Sequence, residues 1–113
     1  MTAKPRRCSK RWLDDDCPKE ILAIMDHPRE SDRYTVFYND PFHTSRGRET
    51  WLTFLALDDN AMYYHGEMQA HEVAAYRYRM KHRYTTWSSL PDAVKNAVRA
   101  DIAAAKEYEE ANK

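Results

Sequence analysis

The segment from Thr50 to Leu57 constrains the fold of this chain more than any other part of the sequence. Its large apolar residues fall on both sides of an extended backbone, with Trp51, Leu55 and Leu57 on one side and Leu52, Phe54 and Ala56 on the other. A strand that is apolar on both faces has to be covered on both faces. The sequence therefore predicts a central strand of a sheet with packed material above and below it.

Two shorter strands are predicted beside it. Tyr34 to Tyr38 is rich in β-branched and aromatic residues, which favour strands. Asp58-Asp59-Asn60 has the composition of a turn because Asp and Asn tolerate positive φ. Met62 to His65 should then return as the partner strand, and Gly66 should end it. The polar link from Asn39 to Glu49 is expected to be a mobile loop.

Helices are predicted at both ends of the chain. Asp16 can cap a short first helix that Pro28 would close, with a buried stripe formed by Ile21, Leu22, Ile24 and Met25. The last helix has a stronger start signal in Ser89-Leu90-Pro91-Asp92, which supplies a capping serine and a proline in the first turn. Its buried face should consist of Leu90, Val94, Ala97, Val98, Ile102 and Ala105.

Residues 69–83 fit a helical and an alternating pattern almost equally well. Helix is preferred because His71 to Ala75 contains helix-forming residues and no β-branched cluster. In a helix, Val73, Tyr76, Met80, Tyr84 and Trp87 would form one stripe, while Arg77 and Lys81 would share another face.

This order of elements predicts the α+β class, with a small three-stranded antiparallel sheet packed against two or three helices, mostly on one face. We expect residues 1–16 to be a flexible charged arm, residues 17–106 a single α+β domain, and residues 107–113 a frayed acidic C-terminus. Double-stranded-RNA-binding domains have a similar element order. Their lysine-rich start to the final helix is absent here.

Composition narrows the function classes. The chain of 113 residues carries eighteen Lys and Arg against eighteen Asp and Glu, so it has no overall basic excess of the kind that binds duplex nucleic acid by charge. A basic run, and not an apolar one, follows Met1, and the longest apolar stretch is too short to span a membrane. A cytoplasmic location with reduced thiols and no membrane partner is therefore expected.

The segment from Ala74 to Trp87 is the main candidate for a binding surface. Cationic side chains placed among aromatic rings can grip phosphates, stack on bases or meet an acidic protein surface. The ordinary alternative is an amphipathic helix, in which the rings are core and the basic stems are solvated. The density of cations and rings favours binding, and Tyr78 at least should be exposed. The candidate binding residues are Arg77, Tyr78, Arg79, Lys81, His82, Arg83 and Tyr84.

Other constellations carry weaker signals. His65, Glu67, His71 and Glu72 could bind zinc or move protons, but the cysteine half of the zinc deaminase signature is missing. Cys8, Cys17, His27 and His43 match no compact zinc-ligand spacing. Neither a glycine-rich phosphate loop nor a nucleophile elbow occurs. We therefore assign no catalytic residue, no metal ligand and no cofactor.

The C-terminal two-thirds resembles short uncharacterised proteins of bacteria and bacteriophages. The residues that carry this resemblance are the hairpin end His65-Gly66-Glu67, the run from Trp87 to Val94 with its Leu-Pro-Asp helix start, and Val98 to Ile102. The similarity spans roughly residues 34–102. It implies a compact α+β domain of accessory or mobile-element type, and it implies no catalytic residues.

The sequence alone is compatible with three functions. The favoured one is a non-catalytic binding or accessory protein that engages a macromolecular partner through the basic–aromatic segment, with a host protein preferred over nucleic acid. The second is a small metal-independent ribonuclease of toxin type using His65, Arg77, Lys81, Arg83 and Tyr84. The third is a structural module in which exposed tyrosines such as Tyr63 or Tyr78 support a homodimer.

Overall fold

The computed structural model describes residues 6–39 and 51–111. Four strands form one antiparallel sheet in the order β1-β2-β3-β4, namely β1 (Ile21–Asp26), β2 (Tyr34–Tyr38), β3 (Trp51–Leu57) and β4 (Tyr63–Gln69). Helix α1 (Ala70–Arg79) follows directly, then two 3₁₀ turns at Lys81–Arg83 and Trp87–Ser89, and finally α2 (Asp92–Ala111). The α+β class and the antiparallel sheet are confirmed, but the sheet has four strands instead of three.

The extra strand is β1, and the helix predicted between Asp16 and Pro28 is wrong. Five consecutive residues, Ile21 to Met25, are buried, which a helix with one buried face could not achieve. A bulge between Ile21 and Ala23 shifts the register against β2. The apolar run therefore belongs to a strand covered on both faces, where it needs no helical period.

The two helices lie on opposite faces of the sheet, not mostly on one face as expected. Helix α2 packs against Ile24, Val36 and Leu55, in the larger core that also holds Trp87. Helix α1 packs through Ala70 and Val73 against the other face, which carries Leu22, Ala23, Met25, Phe37 and Leu52. Because β3 lies between β2 and β4 and contributes to both cores, its prediction as a central, two-sided strand is confirmed.

Strand β4 continues past Gly66 to Gln69, so the prediction that Gly66 ends it is wrong. Gly66 pairs with Phe54 on β3, and a side chain at this position would overlap the Phe54 ring. Its φ is not positive. Glycine is therefore needed here for space and not for an unusual backbone conformation.

The outer edge of β1 is capped by chain from both ends of the domain. The backbone N–H of Cys8 donates to the carbonyl of Leu22 at 3.0 Å, and that of Thr85 donates to Ile24 at 3.1 Å. Met25 also forms an isolated bridge with Tyr84. These contacts cover backbone groups that would otherwise offer a pairing edge, and they place the N-terminal segment beside the end of α1.

Of the face predicted for the last helix, Val94, Val98, Ile102 and Ala105 are buried in α2, as is Leu90 just before it, whereas Ala97 is only half-buried. The division into an arm, a domain and a frayed tail stays a prediction, although Leu13 is buried within the larger core. Most of the loop predicted from Asn39 to Glu49 lies outside the described residues. Neither described helix combines the length and the apolar character that crossing a bilayer requires.

Candidate functional site: a basic groove beside the first helix

Helix α1 sets the geometry of the candidate site. It ends at Arg79, and the N–H of Met80 caps it by donating to the carbonyl of Tyr76 at 2.9 Å. The preference for helix over strand in this region is therefore confirmed for residues 70–79. The chain then turns through Lys81–Arg83, so side chains beyond Met80 leave the helical wheel that the sequence suggested.

A groove of about 320 Å³ runs along one side of α1. We call it the basic groove, and it is lined by Arg6, Ala74, Arg77, Tyr78, Lys81 and Tyr84. Three of these residues are cationic and two are tyrosines, and none is acidic. This composition suits a ligand that carries negative charge next to a flat or apolar group.

Arg77 is the fixed centre of the basic groove. Its Nε donates to the hydroxyl of Tyr84 at 2.8 Å, its Nη1 to the carbonyl of Arg6 at 2.6 Å, and its Nη2 to Sγ of Cys8 at 3.6 Å. None of its three partners is a carboxylate, so among the described residues no acidic side chain cancels the positive charge of Arg77. The guanidinium is thereby held in one orientation while its field remains available to an anion.

Tyr78 and Lys81 form the open wall. Tyr78 is 74% exposed, which agrees with the expectation that this ring cannot be buried with the others. The Lys81 Nζ lies 4.9 Å from the centroid of the Tyr78 ring, a cation–π arrangement. Within residues 6–39 and 51–111, Lys81 makes no ion pair with a carboxylate. An exposed cation and a ring therefore flank the fixed Arg77.

Tyr84 forms the inner wall and links the groove to the sheet. Its ring lies 6.0 Å from that of Trp12, and its backbone bridges to Met25. Burial raises the pKa of the Tyr84 hydroxyl, and the neighbouring Arg77 guanidinium opposes this rise. The hydroxyl thus stays protonated near neutral pH and can accept the Arg77 hydrogen bond.

The structure brings Arg77, Tyr78, Lys81 and Tyr84 together, but not the other three candidates. Arg79 lies on the opposite side of α1, in a hollow that also contains His71 and Glu72. His82 is exposed but does not line the basic groove. Arg83 turns its Nε inward, where no described residue accepts its hydrogen bond. The contiguous stretch of sequence is therefore divided among several surfaces.

The five residues named for a ribonuclease do not share a site. Arg77, Lys81 and Tyr84 line the basic groove on the α1 side, whereas Arg83 does not reach it. His65 pairs with Leu55, whose side chain packs in the core on the α2 face, and its Nε2 lies 2.6 Å from Oδ1 of Asp101 on α2. The sheet separates His65 from the cations that would have to act with it.

Sequence reasoning missed a polar cluster under α2. Asp101 has only 3% of its side chain exposed, and its other carboxylate oxygen accepts a hydrogen bond from the Tyr38 hydroxyl at 2.7 Å. Desolvation and the negative charge of Asp101 both raise the pKa of Tyr38. An aspartate in the middle of the apolar face of a helix was the signal that could have revealed this cluster.

The candidate metal sites are not assembled among the described residues. His65 and Glu67 lie on the α2 face of β4, while His71 and Glu72 border a hollow on the α1 side. Cys8 contacts Arg77, and Cys17 is buried with its pKa raised to about 11, mainly by desolvation. His43 lies outside the described residues. In the described part of the chain, no three His, Cys, Asp or Glu side chains are grouped as metal ligands would be.

Arg6 is the lining residue that the sequence did not identify. It belonged to the segment expected to be a flexible arm, and no local pattern links it to residues seventy positions later. The link comes from the backbone pairing of Cys8 with Leu22 and from the hydrogen bond of the Arg6 carbonyl to Arg77.

The chain was compared with protein-family models, with curated proteins and with solved structures, and none of the three comparisons gives a match.

Proposed function

We propose that this protein is a non-catalytic binding module that engages an acidic segment of a partner protein through the basic groove. The observation that carries this proposal is the lining itself, which combines Arg6, Arg77 and Lys81 with the rings of Tyr78 and Tyr84 and, in the described part of the chain, includes no carboxylate. Carboxylate side chains would meet the cations, and the apolar parts of the same segment would pack on the rings.

The arrangement of Arg77 supports affinity for an anion. Its hydrogen bonds to Tyr84 and Arg6 fix the guanidinium before a partner arrives, so little conformational entropy is lost on binding. Lys81 has no competing ion pair within the described residues, and its long side chain can follow the ligand. A preorganised cation beside an adaptable one is a useful combination for a peptide of variable sequence.

An acidic protein segment is preferred over nucleic acid for two reasons. Among the described residues, three cationic side chains line the groove, whereas binding to a nucleic acid draws on many phosphate contacts. The whole chain also has no net charge, so a long polyanion would gain no overall electrostatic attraction outside the groove. Affinity for a short acidic stretch needs neither an extended basic surface nor a basic excess.

The test compares two labelled probes, an acidic peptide of glutamate and tyrosine residues and a single-stranded RNA of similar length, by fluorescence polarisation. We expect the peptide to bind more tightly than the RNA. Lys81→Glu and Tyr78→Ala should each weaken peptide binding at least about tenfold, because each removes one wall of the groove. Both side chains are exposed, so the fold should tolerate either change.

Lys95→Glu provides the matched control. It makes the same charge change on α2, on the other side of the sheet, and should leave peptide binding unaltered. Equal losses of peptide affinity in Lys81→Glu and Lys95→Glu would show that only the net charge matters, and would refute the groove as the binding site. Tighter binding of RNA than of peptide would replace the acidic protein segment with nucleic acid as the partner.

A further inference from the structure

The opposite side of α1 contains a second, chemically different recess. A pocket of about 120 Å³ lies between the sheet and the helix, and we call it the apolar pocket. Its walls are formed by Thr35, Phe37, Phe54, Met68 and Tyr76. These residues come from three strands and α1, and none of them lines the basic groove.

The walls of this pocket are held in place. The Tyr76 hydroxyl lies 2.7 Å from Nε2 of the buried His27, and the Tyr76 ring meets Phe37 edge-on at 5.7 Å. Phe54 lies over Gly66, where any side chain would displace its ring. The shape of the pocket therefore depends on a glycine on β4 and on a partly buried hydrogen bond to His27, the residue that follows β1.

A charged hollow opens directly beside it. This hollow, of about 320 Å³, shares Met68 and Tyr76 with the apolar pocket and is also lined by His71, Glu72, Ala75 and Arg79. The Arg79 guanidinium lies 5.8 Å from the Tyr76 ring centroid. Among residues 6–39 and 51–111, none forms a hydrogen bond or ion pair with Arg79, and its side chain lines the hollow.

We propose that the apolar pocket and Arg79 together bind a small monocarboxylic acid with a compact ring or branched apolar body. A cavity of about 150 Å³ lined by apolar side chains accepts a benzene ring, so a pocket of this size suits a phenyl group or a branched alkyl group. The guanidinium of Arg79 would receive the carboxylate in a bidentate pair at the mouth. This site goes beyond the acidic-peptide groove and does not depend on it.

Glu72 limits the charge of the ligand. Its carboxylate borders the same hollow as Arg79, so a ligand with two negative charges would meet repulsion that a monocarboxylate largely avoids. This argues for a carboxylic acid over a phosphate ester. It also gives the two charged residues opposite effects, since Arg79 attracts the ligand and Glu72 opposes it.

The probes for the test are benzoate and its neutral counterpart benzyl alcohol, titrated into isotopically labelled protein and followed by NMR. We expect benzoate to bind with a Kd below about 1 mM and to shift resonances of Phe54, Met68 and Tyr76. Arg79→Gln should weaken benzoate at least about tenfold, and Glu72→Gln should tighten it. Lys81→Gln, which removes a charge from the other side of α1, should leave the affinity for benzoate unchanged.

Gly66→Ala tests the pocket independently of charge, because the added methyl group pushes the Phe54 ring from its position. It should abolish the benzoate-induced shifts at Met68 while the backbone spectrum stays folded. Equal binding of benzoate and benzyl alcohol, insensitivity to Arg79→Gln, shifts confined to Arg77 and Tyr78, or no saturable binding would each overturn the proposal.

Discussion

Gly66→Ala should destabilise the protein, although alanine is ordinarily the better residue inside a strand. Gly66 has no positive φ, so replacing it would by itself stabilise the strand by about 0.5–1 kcal/mol. The new methyl group, however, would occupy the space taken by the Phe54 ring. Moving an aromatic ring away from a packed position costs about 1–3 kcal/mol. We therefore expect a net loss of about 1–2 kcal/mol in the free energy of unfolding.

We attribute the predicted loss of stability in Gly66→Ala to the Phe54 ring and not to the backbone at Gly66, and a double-mutant cycle separates these two contributions. In a Phe54→Val background the ring is gone, so the same Gly66→Ala change should be neutral or stabilise by up to about 1 kcal/mol. The interaction energy between the two sites should then be about 2 kcal/mol. Urea denaturation of the four proteins measures it. A stabilising Gly66→Ala in the original background would refute the argument.

Three further predictions concern stability and association. Burial raises the pKa of Cys17 to about 11 and raises those of Tyr38, Tyr76 and Tyr84. Because these groups ionise more easily in the unfolded chain, their contribution to the free energy of unfolding is complete below about pH 9 and is lost as the pH rises toward 11. Thermal melts across that range should show this loss of stability. A melting temperature that does not change with pH would contradict it. Trp87→Ala should lower the free energy of unfolding by about 3–5 kcal/mol, since Trp87 is only 1% exposed in the larger core, and Trp87→Phe should cost clearly less in the same urea titration. Thr85→Pro should expose the edge of β1, because it removes the N–H that donates to Ile24. The backbone should tolerate the proline, since Tyr84 (φ −56°, ψ 140°) already has a conformation that suits the residue before a proline. Sedimentation should then show association that increases with concentration, and Thr85→Ala, which keeps the N–H, should remain like the original protein.

The sheet was partly predictable because its pattern is local. Strands β2 and β3 and the start of β4 follow from β-branched and aromatic residues and from the turn at Asp58, whose carboxylate accepts the N–H groups of Asn60 and Met62. Strand β1 was misassigned because a run buried on both faces has no period, and Asp16 and Pro18 imitate a helix start. The role of Gly66 depends on a ring from another strand, which one-dimensional patterns do not contain.

The candidate site was predictable only where the helix continues. Lys81 follows Tyr78 by three residues and Arg77 by four, so a helical reading places it beside both. The chain leaves the helix after Arg79, and Arg83, which was predicted to belong to the binding surface, does not line the groove. Arg6 enters through long-range backbone pairing, which the local sequence does not encode. The basic groove is therefore a tertiary feature built around three predicted residues, of which Arg77 and Tyr78 lie in α1.

The most direct test of the basic groove is an NMR titration of the labelled protein with the acidic peptide at low and at moderate salt. We expect saturable shifts centred on Arg77, Tyr78, Lys81 and Tyr84, with weaker binding at the higher salt because exposed charges are screened. Shifts centred on α2, or no saturable shift at low salt, would contradict the proposal that this groove is where the protein meets its partner.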